Sequence, residues 1–288
     1  MTWFSFHGGH SGSFCDHAKG TLEEVVEAAI ARGFTHYGLS EHVPRYREQD
    51  LFPGEEHLGT EGLIRAFEDY ARTAFELQER YRDRIELLVG FETETLPPDI
   101  WPDRMRELRR SYPFDYFVGS MHDINGRWVD LKPAMTEELK AEFGADTLHV
   151  IWFERLAEMV RLLKPDVVGH IDLIRKFEPA DFAFSPAALR AAEGLLETAR
   201  AAGSALDVNC APVRNGYGAP YPRLPLLEMA CRMGVGVTLG DDSHGPDTVG
   251  VGLTASLEAI GKAGFRSVRR LSRARGWEDI PLDQVRPG

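Results

Sequence analysis

Cysteine is scarce: Cys15, Cys210 and Cys231 are the only three in 288 residues. Thiols so few and so widely separated exclude a disulfide framework and fit a reducing compartment. Cationic excess is missing too. Lysine and arginine number 33 against 45 aspartates and glutamates, a formal net charge of −12. The average surface therefore repels nucleic acid and anionic membrane, and neither is expected as a partner. No apolar run is long enough to cross a bilayer, and the first residues lack the basic-then-apolar layout of a leader, so a cytoplasmic location is expected. Also absent are the P-loop, HExxH, GxSxG, Cys-x5-Arg and DxDx[TV] patterns, which removes the catalytic routes they carry. No Pro/Gly/Ser linker, repeat or low-complexity tract divides the chain. With 43% hydrophobic residues, residues 1–288 are expected to form a single domain with a real core, ending in a frayed, Arg-rich peripheral tail after about residue 265.

What is present is an alternation. Seven β-rich runs, at 2–7, 35–41, 85–92, 114–122, 166–172, 205–209 and 234–242, are separated by helical patterns at 21–33 and at about 61–83, 99–111, 136–163, 185–202, 223–232 and 254–263. Strands alternating with helices imply an α/β fold with a parallel sheet or barrel inside and helices outside. The first helix is the clearest: Thr21 and Glu24 form a capping-box pair, Val25, Ala28 and Ala29 share a face, and Gly33 closes the end.

The polar residues collect at one end of this pattern. His42, Glu92, His122, His170, Asp242 and His244 lie at or just past the C-terminal ends of predicted strands, and in a parallel barrel those ends open on one face. A single histidine at a strand end is more often a structural residue than a ligand; six such residues, four of them histidines, at the same end are not readily a coincidence. His36, His57 and His149 lie elsewhere and read as surface or packing residues. The segment "FSFHGGHSGSFCDHAKG", residues 4–20, holds His7, His10 and His17, which read either as a metal-binding entry to the site or as an accident of a polar loop. Imidazoles with carboxylates suit two or three divalent ions such as zinc, manganese or iron, and nothing resembles a thiolate zinc cage. Glu92 is a natural bridge between ions, with Glu94 as its competitor on strand parity. Closely spaced ions would share a hydroxide and stabilise a leaving alkoxide, so the expected partner is a small phosphorylated substrate. Asn209 and Arg214 follow the sixth strand, where Arg214 could grip phosphate bidentately or be merely solvated. Arg45 and Arg175 are weaker candidates for that task. Trp128, Phe14, Tyr46 and Phe177 could wall a pocket, and Ser40 and Ser120 read as packing residues.

The series "HSGSFCDHA" (10–18), "YGLSEHVPR" (37–45), "GFE" (90–92), "VGSMHD" (118–123), "VGHIDLIRKF" (168–177), "DVNCAPVR" (207–214) and "GDDSH" (240–244) resembles the polymerase-and-histidinol-phosphatase (PHP) superfamily, and within it the histidinol-phosphatase branch. That resemblance implies a distorted (β/α)7 TIM-like barrel, in agreement with the seven runs, and a three-metal site. The first ion would take His10, Glu92, Asp242 and one more N-terminal histidine; the second Glu92, His122 and His170; the third His17, His42 and His244. Arg214 resembles the family's phosphate-binding arginine, and Asp172 is placed to orient an imidazole. Glu92, Asp242 and Arg214 would carry catalysis on L-histidinol phosphate, or on another small phosphorylated metabolite or nucleotide. One departure stands out. The family's His-x-His has Gly8 at its first position here, with His7 three residues before His10. Either a bulge at Gly8-Gly9 turns His7 inward, or the first ion has lost a ligand.

Overall fold

The computed structural model describes residues 1–179 and 181–287. Along the chain run β1 (Phe4–Ser5), α1 (Leu22–Ala31), β2 (His36–His42), α2 (Gly59–Arg80), β3 (Glu86–Glu92), α3 (Trp101–Ser111) and β4 (Val118–Gly119). A short hairpin, β5 (Asp123–Ile124) and β6 (Arg127–Trp128), precedes α4 (Pro133–Phe143) and α5 (Ala145–Leu163). Then come β7 (Val167–Val168), α6 (Pro186–Ala202), β8 (Ala205–Asn209), α7 (Ala211–Arg214), α8 (Leu224–Met233), β9 (Val237–Gly240) and α9 (Leu253–Lys262). Strands β10 (Ser267–Ser272) and β11 (Gly276–Pro281) end the chain.

Seven of these strands form one parallel sheet in the order β1-β2-β3-β4-β7-β8-β9. The sheet closes nearly into a barrel, because the Phe6 amide just past β1 donates to the Leu239 carbonyl of β9 at 2.9 Å. Strands covered by helices outside and filled inside read as almost unbroken buried runs, as β2, β3 and β8 do. Register decides the site: β2 pairs with β3 from His36↔Glu86 to His42↔Glu92, so His42 and Glu92 finish side by side.

Helix α1 forms as expected, with the Thr21 side chain and Glu24 capping each other's backbone and Leu22, Val25, Val26 and Ala29 buried. The single helix expected over 136–163 is two. Gly144, at φ +80° and ψ 139°, is both the last cap of α4 and the first cap of α5, a backbone state no helix interior accepts. The segment after residue 265 is not frayed. It is an antiparallel hairpin whose Trp277 packs edge-on to Phe6 at 6.1 Å, while Val285 bridges to Thr2. It plugs the end of the barrel where the strands begin and leaves the opposite mouth open.

A candidate metal centre at the mouth of the barrel

Glu92 is the hub of the open mouth. Its buried carboxylate presents Oε1 to His7 Nε2 at 3.0 Å, His170 Nε2 at 3.3 Å and His122 Nε2 at 3.6 Å. The other oxygen, Oε2, faces His42 Nδ1 at 3.0 Å and His10 Nε2 at 3.7 Å. Asp242 Oδ1 lies 4.0 Å from His10 Nε2 and 3.6 Å from His244 Nδ1. The rings of His17, His42 and His244 cluster beside this hub, with His17 5.4 Å from His42 and 4.9 Å from His244 by centroid. All nine residues expected as metal ligands therefore meet in one place.

His7 does turn inward at Gly8-Gly9, as the first of the two alternatives expected, but past the end of the strand and not within it. The strand simply ends early, at Ser5, and Gly8 and Gly9 take φ of +141° and +76°. The His7 carbonyl accepts the Asp241 and Asp242 amides at 3.0 and 2.8 Å, which pins its imidazole between Asp207 and Glu92. A histidine could not stand at Gly8 itself: a Cβ there would lie 2.3 Å from Asp241 Oδ1. The imidazole comes from position 7 because position 8 has no room for one.

A second layer of carboxylates holds these rings. His7 Nδ1–H donates to Asp207 Oδ2 at 2.6 Å, His10 Nδ1–H to Glu41 Oε1 at 2.9 Å, and His122 Nδ1–H to Glu94 Oε2 at 3.0 Å. Each bond turns the ring's Nε2 toward Glu92. Sequence reading missed Glu41 and Asp207, although a carboxylate inside a fully buried strand requires a partner and so was a signal. The residue it chose for this task, Asp172, does something else. The turn over residues 173–175 folds Arg175 back onto it, so Asp172 accepts from Arg175 Nε at 2.6 Å and from the Arg223 amide at 2.9 Å. Glu94 is likewise no bridge: it lies behind His122 and pairs with Arg45 Nη2 at 3.1 Å.

The cavity over the cluster measures about 480 Å³ and is lined on its far side by Phe52, Trp128, Asp130, Lys176, Arg214 and Tyr217. Arg214 donates through Nη1 and Nη2 to the carbonyls of Asp241 and Asp242 at 2.6 and 2.7 Å, which fixes its fork at the wall. Arg45 also lines the cavity, stacked over Trp128 at 5.2 Å. Asn209 sits below the surface, donating to Asp207 Oδ2 at 2.9 Å and Asp242 Oδ2 at 3.1 Å. Arg175 is turned away, with its donors on Asp172 and the carbonyls of Ala219 and Pro220 and its face on Tyr221. Of the expected aromatic walls only Trp128 is present; Phe14, Tyr46 and Phe177 lie elsewhere, and Phe52, Tyr217 and Tyr221 take their place.

The electrostatics are those of a cation site. Burial pushes His17 and His244 down to about 4, reinforced by neighbouring imidazoles, so both are neutral at pH 7. Burial would lower His7 and His122 as well, but adjacent carboxylates overcome it: Glu92 and Asp207 hold His7 well above its usual range, and Glu94 raises His122 to about 10. In these positions protons balance carboxylate charge that a metal ion could balance instead. Several buried atoms also have no hydrogen-bond partner, among them His10 Nε2, both ring nitrogens of His42 and Glu92 Oε2. His42 Nδ1 and Glu92 Oε2 are close yet off the line a hydrogen bond needs. Orphaned donors and acceptors of this kind fit residues arranged around an ion. Donor sets near enough to enclose one are His7/Glu92/His170, His7/His10/Asp242, His10/Glu41/His42 and Cys15/His17/His42/His244.

Residues 8–211 match the PHP domain family; Asp242 and His244 lie beyond that span and return to it through closure of the barrel. A probable histidinol-phosphatase of Schizosaccharomyces pombe is 36% identical over 265 residues, covering 90% of this chain and 86% of the relative. The histidinol-phosphatase of Saccharomyces cerevisiae is 27% identical, covering 85% and 84%. In fold, the chain matches the histidinol phosphate phosphatase of Lactococcus lactis, solved with zinc, L-histidinol and phosphate, with a TM-score of 0.75, 20% identity and coverage of 96% and 99%. No helix among the described residues is long and apolar enough to cross a membrane. The convergent ligand cluster, the seven-stranded barrel and these matches place the chain in the PHP domain family.

Proposed function

We propose that the protein hydrolyses L-histidinol phosphate to L-histidinol and phosphate, using two or three divalent ions of the zinc, manganese or iron class. The observation that carries this reading is the ring of imidazoles and carboxylates around Glu92, in a cavity that also holds Arg214; the relatives' names supply the substrate. When bound, such ions supply Lewis acidity that activates water and offsets charge on the phosphoryl oxygens and the leaving alkoxide.

The chain's own residues do the rest. His7, His10, Glu92 and Asp242 hold one ion, Glu92, His122 and His170 a second, and His17, His42 and His244 a third. Asp207, Glu41 and Glu94 keep His7, His10 and His122 in the tautomer that offers Nε2. Arg214 uses two of its five donors on backbone carbonyls, which leaves the others for a phosphate oxygen. Arg45 neutralises Glu94, and Asn209 steadies Asp207 and Asp242.

The substrate's cationic end meets Asp130. Its Oδ1 is buried at the cavity wall with no hydrogen-bond partner, while Lys176 Nζ engages the Asp130 carbonyl at 2.7 Å and stays 3.8 Å from Oδ2. A free carboxylate oxygen beside an aromatic wall suits an ammonium or imidazolium. Asp130→Asn is therefore expected to lower kcat/KM for histidinol phosphate about 10- to 100-fold, the worth of one charge-assisted hydrogen bond, and to leave p-nitrophenyl phosphate unchanged. Equal losses on both esters would remove Asp130 from substrate recognition. The substrate itself is tested by phosphate release from the wild-type protein. A rate on histidinol phosphate no better than on generic phosphomonoesters would leave a phosphoesterase with another substrate.

A further inference from the structure

We propose that Cys15 is a metal ligand, its thiolate completing a four-coordinate zinc site with His17, His42 and His244. The inference rests on the metal-centre reading above and adds a residue to it. One donor atom from each of the four side chains lies within 4.8 Å of the other three. In tetrahedral zinc, with Zn–S of about 2.3 Å and Zn–N of about 2.1 Å, neighbouring donors stand roughly 3.5 Å apart, so small side-chain rotations close the set. Cys15 Sγ is already 3.3 Å from the nearer ring nitrogen of His17.

The local chain holds the sulfur there. The amides of Phe14 and Cys15 both donate to the Ser11 carbonyl, and the Ala18 amide donates to the Cys15 carbonyl. This tight turn directs Sγ back over His17 from beneath the cavity, where Cys15 is 7% exposed. A buried cysteine is commonly mere packing. Here, however, its sulfur lies within 4.8 Å of a ring nitrogen of His42, whose two ring nitrogens are buried and lack any hydrogen-bond partner. A neutral imidazole carries one N–H that needs an acceptor and one lone pair that needs a donor or an ion. Coordination satisfies the lone pair.

Two consequences follow. On binding, the S–H bond gives its proton to solvent and an S–metal bond forms, with no change of oxidation state. A thiolate is a soft ligand, so this site selects zinc over manganese or magnesium, while the His/carboxylate positions around Glu92 stay permissive. Four protein ligands also close the tetrahedron, as in structural rather than catalytic zinc sites. The ion at this site then anchors His42 and His244, and the hydrolytic task falls to the positions sharing Glu92.

Zinc-edge X-ray absorption on the zinc-loaded full-length protein tests this. The expected result is a sulfur scatterer at about 2.3 Å, retained in Cys210→Ser and Cys231→Ser and lost in Cys15→Ser, with a loss of about one zinc per chain. Bound zinc showing only nitrogen and oxygen neighbours in the wild type, or sulfur that persists in Cys15→Ser, overturns the proposal and leaves the Glu92 centre standing. A protein that binds no zinc at all overturns this proposal, and the Glu92 centre falls with it only if manganese and iron are not bound either. Because the wild-type spectrum is itself decisive, a poorly folding Cys15→Ser does not shield the idea; Cys15→Ala gives a second variant.

Discussion

Glu92→Gln is expected to lower turnover of histidinol phosphate by about three orders of magnitude or more and to reduce the metal content of the purified protein. The size follows from what the residue does. Its two oxygens face separate groups of imidazoles, His7, His122 and His170 on one side and His10 and His42 on the other. Glutamine keeps the shape but loses the charge and replaces one acceptor with a donor. Two ions would then lack a shared anion, and charge stabilisation worth several kcal/mol is lost at tenfold in rate per ~1.4 kcal/mol. Glu94→Gln is the informative comparator. Glu94 only supports His122 and Arg45, so its loss is held to the roughly 10- to 100-fold typical of an outer partner. If Glu92→Gln keeps its full metal content and stays within tenfold of wild type, the bridging role is wrong.

His7→Ala is the second large effect. His7 and Asp207 are fully buried and 2.6 Å apart, so alanine removes a proposed ligand and strands a carboxylate that retains only Asn209 and a long contact from the His170 amide. Breaking a buried pair from one side costs on the order of 3–5 kcal/mol of stability. The variant should melt well below wild type, lose metal, and lose activity at least as severely as His10→Ala. Metal analysis and thermal unfolding separate the two contributions. An enzyme with unchanged metal content and rate would show that His7 is not a ligand, whatever its packing.

Much of this was legible in the sequence, and the reason is periodicity. Parallel strands put every C-terminal end on one face, so Glu92, His122, His170 and Asp242 could be grouped without knowing a single distance. The three histidines of residues 4–20 could be joined to them only through the family resemblance. What stayed hidden depends on local backbone. The course of His7 is set by two glycines at positive φ and by the space Asp241 occupies, neither of which a strand pattern encodes. The role of Asp172 was misread because a helical turn carries Arg175 back to it. Asp130 and Lys176 reach the cavity from loops whose course has no period. The closing hairpin was read as a tail because its strands alternate weakly and carry arginines, some of which cover aromatic surface, as Arg269 covers Trp277 at 4.9 Å.

The most direct test of the whole account is phosphate release from histidinol phosphate by one preparation of the protein, first stripped of metal by a chelator and then reloaded. The account predicts no turnover above the uncatalysed rate in the stripped protein and recovery as zinc or manganese is titrated in, reaching a plateau at two or three ions per chain. Full activity that survives verified metal removal would contradict it.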